Sequence, residues 1–132
     1  MPSPNFVATG NINVCRFVKL DTSADNSVAQ AGSNDIPIGI SPEYGREPNL
    51  PSVSTIYAAQ AGDAVAIYGL GEEPLLELGG SVTRGDRLIS DSNGKGVTAS
   101  FSGTNQNVGA IALSSGASGE RIRVQVVNFM GK

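Results

Sequence analysis

The chain has 132 residues, the length of a single domain, and 39% of them are hydrophobic, but only 5% are aromatic and tryptophan is absent. The core must therefore be aliphatic, and 17 glycines with 7 prolines favour short strands and frequent turns, which predicts an all-β fold. The net charge of −3 provides no basic field for a phosphate backbone and argues against direct binding to nucleic acid.

The first eleven residues are expected to be an extended N-terminal arm. Two prolines prevent a helix, while Phe6 and Val7 give the segment an apolar anchor. Because these two side chains have no evident local partner, we expect the arm to be mobile in the isolated protein and ordered against a neighbouring subunit. The remaining residues, 12–132, are expected to form one β-rich domain.

Residues 12–40 predict three strand segments. The first spans residues 12–20, where alternate apolar residues from Ile12 to Leu20 share one side of the strand and are interrupted by Arg16. Cys15 is expected to be a half-buried thiol. A short return strand follows at residues 28–31. The third segment covers residues 36–40, and its Pro37 indicates a sheet edge or a strand end.

Residues 41–62 predict an irregular surface excursion. Pro42, Pro48 and Pro51 exclude a long helix, and loops of this length are usually functional or disordered. The excursion contains Tyr44 and Tyr57. Together with Phe6 and Val7, these tyrosines are the candidate residues for contact with another protein.

The second half of the chain has the clearest strand pattern. Glycine-centred turns separate strands predicted at residues 63–69, 75–80, 86–90, 96–100, 108–113 and 120–129, at the spacing of a barrel or sandwich. Asn93-Gly94 predicts a type I′ hairpin turn. In the last strand Ile122, Val124 and Val126 should point inward. No long repeat is evident, although Gly-Asp pairs at 62–63 and 85–86 indicate similar corners.

The residues needed for chemistry are scarce. Without histidine the chain lacks the usual acid-base group and the usual zinc and copper ligand, and its carboxylate groups do not have the arrangement of a glycosidase pair. We therefore expect no enzymatic activity, no cofactor and no metal. Arg84-Gly85-Asp86 spells an integrin-binding tripeptide, but Gly-Asp is also what a tight strand reversal requires, and this structural role is the better interpretation.

Disulfide and membrane signals are also missing. A single cysteine excludes an internal disulfide framework, and no apolar run approaches the roughly 20 residues of a membrane span. The N-terminus lacks the basic and apolar regions of a signal peptide. We expect the protein to stay in the cytoplasm of the cell that makes it until it is assembled, without a membrane partner.

Several segments taken together resemble a known family. They are AQAGDAVAIYG, VTRGDRLISDSNGKGV and NVGAIALSSGASGERIRVQVV, preceded by RFVKLDTSADNSV and IPIGIS. In this order they resemble the cement, or head decoration, proteins of tailed-phage capsids, over roughly residues 12–127. Each motif consists mostly of residues that are common in turns, so the resemblance rests on the order of all five segments.

The resemblance implies a small β-barrel-like domain on the outside of the virion. Such a domain would trimerise at local or quasi-threefold positions, bind the major capsid protein and stabilise the expanded head. Phe6, Val7, Tyr44 and Tyr57 would then be candidate capsid or subunit contacts. A subunit of a phage tail, baseplate or fibre, or a ligand-binding β-barrel module, would share the same composition and remains an alternative.

Overall fold

The computed structural model describes residues 3–22, 26–42, 57–100 and 106–131, and within these ranges the chain forms strands and no helix. The strands are β1 (Ser3–Ala8), β2 (Ile12–Asn13), β3 (Phe17–Leu20), β4 (Ser27–Gln30), β5 (Pro37–Ile40), β6 (Tyr57–Ala59), β7 (Ala64–Ile67), β8 (Leu75–Glu77), β9 (Arg87–Ser90), β10 (Gly96–Thr98), β11 (Gln106–Ala112) and β12 (Arg121–Gly131). The all-β prediction is confirmed, and every strand predicted in the second half is present.

Strands from the first half form a closed sheet, which we call the first barrel. Its strand order is β5-β3-β4-β1-β7. The two edges meet where Ile40 and Tyr68 exchange both backbone hydrogen bonds, at 3.1 and 3.0 Å. Its core consists of Ala8, Ile12, Val18, Val28, Ala59, Val65 and Ile67.

Strands from the second half form another closed sheet, the second barrel, in the order β10-β9-β11-β12-β8. A parallel bridge between Leu78 and Gly96 joins its edges, and the Gly79 amide donates to the Gly96 carbonyl at 2.9 Å. Its core is aliphatic, as the composition requires: Leu76, Leu78, Val82, Leu88, Ala110, Ala112, Ile122, Val124 and Val126.

The two barrels have the same topology. The five strands in chain order are β1, β3, β4, β5 and β7 in the first barrel and β8, β9, β10, β11 and β12 in the second. In both, the first of the five lies beside the third and the fifth, and the second lies between the third and the fourth. The first and third strands are parallel, whereas the other neighbours are antiparallel. The chain is therefore a tandem repeat of one five-stranded barrel.

The strand registers match as well. Corresponding pairs are Phe6–Val65 and Leu76–Ile122, Val18–Gln30 and Leu88–Thr98, Phe17–Ile40 and Arg87–Ile111, Ile40–Tyr68 and Ile111–Gln125, and Ile12–Ala59 and Val82–Gly116. Positive φ angles recur at the matching turns: 56° and 92° at Cys15 and Gly85, 67° and 76° at Asn26 and Gly94, and 89° and 88° at Gly62 and Gly119. The expectation of no long repeat is wrong, because the strand order and register repeat although the amino acids at equivalent positions differ.

The expected N-terminal arm needs correction. Residues 3–8 are the strand β1, which pairs in parallel with β4 and antiparallel with β7 in the middle of the first barrel. Phe6 is partly buried and packs against the core of that barrel. The premise that this segment has no partner in its own chain is wrong, because its partners are distant in sequence.

The single strand expected at residues 12–20 is interrupted. β2 ends at Asn13, Val14 and Cys15 form a turn with φ of 56° at Cys15, and β3 begins at Phe17. The turn changes the alternation, so that Cys15 is fully buried, whereas Leu20, which was placed on the same side as Ile12, is 58% exposed.

The hairpin between β9 and β10 is confirmed, but its turn is not type I′. The Gly94 amide donates to the Asp91 carbonyl at 3.1 Å, and only Gly94 of the pair has positive φ. This is a type I turn followed by a glycine bulge, which pairs Ser90 with Gly96, one residue earlier than a two-residue turn would.

The remaining turn predictions have mixed outcomes. Pro37 is the first residue of β5, which is one of the two positions that were expected for it, a strand end. The Gly-Asp corners at 62–63 and 85–86 are alike, since in each the aspartate accepts the amide three residues before it, at 3.0 and 2.9 Å. The excursion is shorter than expected, because residues 57–59 are the strand β6; residues 43–56 lie outside the described ranges.

Candidate interaction surface

The side of the first barrel that faces the second barrel is apolar. Phe17 and Ile40 are fully buried and belong to the core cluster of the second barrel. Across this seam, a Cβ atom at Gly109 would lie 2.5 Å from Pro37 Cγ and 2.7 Å from Phe17 Cε1. Only glycine allows this approach, so the two barrels are in close contact at this point.

The tip of the β9–β10 loop is bound to the first barrel by hydrogen bonds. The Asn93 carbonyl accepts from Arg16 Nη1 at 3.0 Å and from Gln30 Nε2 at 2.9 Å. The Gly94 carbonyl accepts from the Phe17 amide at 2.8 Å. Because three donors of the first barrel bind the tip of this loop, the loop is part of the seam and is not available as a free binding loop.

A cluster of charges crosses the same seam. The carboxylate of Glu77 lies 3.3 Å from Arg16 Nη2, 3.3 Å from Lys95 Nζ and 3.6 Å from Arg121 Nε. Glu77 is only 15% exposed, so its interactions are screened less than those of a surface ion pair. Arg16 belongs to the first barrel and the other three to the second. The cluster therefore links the barrels and has a structural role.

The corner at residues 32–35 of the first barrel fits against the second barrel. The Asn34 amide donates to the Ser90 carbonyl at 2.9 Å. Asn34 Oδ1 accepts from the Asn107 amide and the Asn34 carbonyl accepts from Asn107 Nδ2, both at 2.8 Å. One corner thus makes three polar contacts with its neighbour.

An apolar groove lies beside this corner on the first barrel. Its lining includes Leu20, Ile36 and Ile38, and its volume is about 400 Å³. Leu20 and Ile36 are 58% and 61% exposed, which is unusual for large apolar side chains in the described part of the chain. We call it the Leu20–Ile36 groove. Exposed apolar surface of this kind is typical of contact sites.

An ion pair lies at the rim of the Leu20–Ile36 groove. Lys19 Nζ is 3.0 Å from Asp35 Oδ2. The Gly32 amide donates to the same carboxylate at 2.7 Å, and this bond, followed by Lys19, lowers the pKa of Asp35 below its usual value. The Asp35 carboxylate therefore stays charged at neutral pH, beside the side chain of Lys19.

The structure separates the four residues predicted as contacts. Val7 is 43% exposed on β1, whereas Phe6 is partly buried in its own barrel. The backbone of Tyr57 pairs with Asn13 in the small β2–β6 sheet. Tyr44 lies outside the described residues. A contact role for these residues stays a prediction, and Phe6 is the one with an evident structural role.

Sequence reasoning did not identify Leu20 and Ile36. Alternation alone places Leu20 on the same side as Ile12, because the interruption at Cys15 has no clear signal in the sequence. Ile36 did carry a signal, since an apolar residue between Asn34-Asp35 and Pro37 lies where turn residues predominate.

The described ranges were compared with three kinds of functional feature: a metal site, an integrin-binding tripeptide and a membrane span. There, no group of three or more cysteine, aspartate or glutamate residues has the arrangement needed for a metal ion. Gly85 has φ of 92° and the Asp86 carboxylate accepts the Thr83 amide at 2.9 Å, so the Arg84-Gly85-Asp86 tripeptide forms a structural corner. No helix in this part of the chain is long and apolar enough to cross a membrane.

The fold is similar to a solved structure from bacteriophage phi29, the N base of the head fiber gp8.5. The TM-score is 0.63 and the sequence identity is 18%, and the likeness covers 92% of this chain and 90% of that chain. No protein-family model matches the sequence, and no curated protein matches it. At this identity the likeness establishes a shared fold over nearly the whole length of both chains.

Proposed function

We propose that the protein is a structural component of a phage virion, bound to the outside of the head. The observation that carries the proposal is the likeness in fold to the base of a phage head fiber, which extends over 92% of this chain. The sequence motifs that resemble capsid cement proteins point independently to the same part of a virion.

The finer part of the proposal is that the protein binds the major capsid protein as a homotrimer at local or quasi-threefold positions and stabilises the expanded head. Two features support it. Barrel closure pairs the edges of both sheets, which suits a discrete subunit better than a polymerising one. Binding to an assembled shell would also add stability to a small aliphatic core by mass action.

The proposal includes no catalysis, no cofactor and no direct contact with nucleic acid or membrane. The absence of histidine and the net charge of −3 support this part of it. The protein would remain in the host cytoplasm until it joins the exterior of the virion.

Binding to empty expanded capsids tests the proposal. Capsids purified without the protein are imaged by electron microscopy before and after it is added, and a difference map is calculated. We expect density on the outer surface at threefold positions, and higher thermal stability of the decorated particles. Density confined to the tail, or no binding at saturating protein, would contradict the proposal.

The base of a head fibre is a second candidate, favoured by the phi29 neighbour, which is described as such a base. A map of mature virions, compared with the difference map of the decorated capsids, separates the two functions. A cement protein would appear as a compact density alone, whereas in mature virions a fibre base would carry further protein on its outer side.

A further inference from the structure

Because the two barrels are repeats, the contacts that one barrel makes can be compared with the equivalent positions of the other. Three of the positions at which the second barrel contacts the first are compared with their counterparts in the first barrel. The Glu77 amide donates to the Cys15 carbonyl at 2.9 Å, and Ser90 and Asn107 bind Asn34. Glu77, Ser90 and Asn107 lie on the face of the second barrel that is covered by the first barrel.

The matching positions of the first barrel are different in character. When the strand registers of the two barrels are aligned, Glu77, Ser90 and Asn107 of the second barrel correspond to Val7, Leu20 and Ile36 of the first. These three are 43%, 58% and 61% exposed. Polar residues that contact a neighbouring barrel are thus replaced by apolar residues that no described part of the chain covers.

The groove does not suit head-to-tail association, in which the second barrel of another copy would dock on the first barrel as the first barrel docks on the second. On the first barrel, Phe17 and Gln30 face the seam, and their counterparts on the second barrel are Arg87 and Thr98. Both counterparts are exposed and polar. Covering Leu20 and Ile36 with them would place a guanidinium group against two apolar side chains, and removing it from water there is unfavourable.

The groove is better matched by another copy of itself. Its centre is apolar and its rim carries both Lys19 and Asp35, which are 39% and 34% exposed at the side chain. A symmetric assembly can therefore bring apolar surface against apolar surface and place the cation of one copy beside the anion of the next. The groove also borders Asn34, so a contact there would continue the seam between the barrels.

We propose that the Leu20–Ile36 groove is the surface through which copies of this chain associate around the axis of the homotrimer. The inference rests on the trimer of the proposed function and assigns its contact residues. The copies bury Leu20 and Ile36 near the axis, while Lys19 and Asp35 pair between neighbours at the rim.

Sedimentation velocity of the full-length protein over a range of concentrations, without capsids, tests the assignment. Leu20→Gln and Ile36→Gln should each raise the dissociation constant of the trimer by roughly tenfold or more, because each removes apolar area that the contact would bury. Leu70→Gln is the matched control. Leu70 is 73% exposed in the turn after β7 and lies outside the groove, so its variant should associate like the unmodified protein. Thermal unfolding confirms that all variants are folded.

Three outcomes would overturn the assignment. They are a protein that is monomeric at every concentration, a trimer that Leu20→Gln and Ile36→Gln leave unchanged, and an Arg87→Glu variant that dissociates as readily as the groove variants, which would indicate head-to-tail association. The proposed function fails separately. A trimer that needs the groove but does not bind capsids would retain the assignment and contradict the function.

Discussion

Gly94 illustrates how one residue serves both a turn and a contact between barrels. Its φ of 76° is a conformation that side chains with a Cβ rarely adopt. A Cβ atom there would also lie 3.0 Å from Gln30 Cγ and 3.3 Å from the Ala31 carbonyl oxygen. The Asn-Gly pair predicted the turn from sequence, but the contact with the first barrel depends on packing across the seam.

Gly94→Val should therefore destabilise the protein more than Gly85→Val does. Both replacements introduce strain at positive φ, of about 1–3 kcal/mol, but nothing lies within 4 Å of a Cβ at Gly85. The crowding at Gly94 should add roughly 1 kcal/mol or more. Urea unfolding of the two variants measures the difference. Equal losses of unfolding free energy would mean that the loop does not press on the first barrel.

At the scale of the strand, β1 shows the limit of local sequence reasoning. The two prolines of the N-terminal segment correctly excluded a helix, and the segment is indeed extended. Its neighbours β4 and β7 come from far along the chain, and nothing in the segment's own residues identifies them. The clear alternation of β12 was easier to interpret, because Ile122, Val124 and Val126 all face one core.

The central position of β1 makes Val7→Pro a sharp test. The Val7 amide donates to the Asn26 carbonyl at 2.8 Å, and proline would remove this donor from the middle of a sheet. We expect a loss of roughly 2 kcal/mol or more in unfolding free energy. Val7→Ala is the control, since it keeps the amide and trims a side chain that is already 43% exposed. If thermal unfolding does not distinguish the two variants, the segment is a passive tail.

For the whole molecule, the main consequence of the seam is that the barrels should unfold together. Phe17, Ala31 and Ile40 are residues of the first barrel that complete the core of the second. The Glu77 charge cluster crosses the same boundary. A repeat with such an interface loses the independence that two separate domains would have.

Phe17→Ala should reveal this coupling. Removing a fully buried phenylalanine costs about 3–5 kcal/mol, and here the cavity lies between the barrels. Amide hydrogen exchange should therefore accelerate to a similar extent at Val28 in the first barrel and at Val124 in the second. Acceleration in only one barrel would contradict a single cooperative unit.

The sequence by itself determined the all-β class, most strand positions, the corner turns and the scarcity of catalytic groups. These follow from alternation, glycine and proline positions and composition, which act over a few residues. Only the tertiary structure decided the partners of β1, the interruption at Cys15, the repeat of the barrel and the exposure of Leu20 and Ile36. Each of these depends on which strands become neighbours, and that choice is made by packing between residues far apart in the chain.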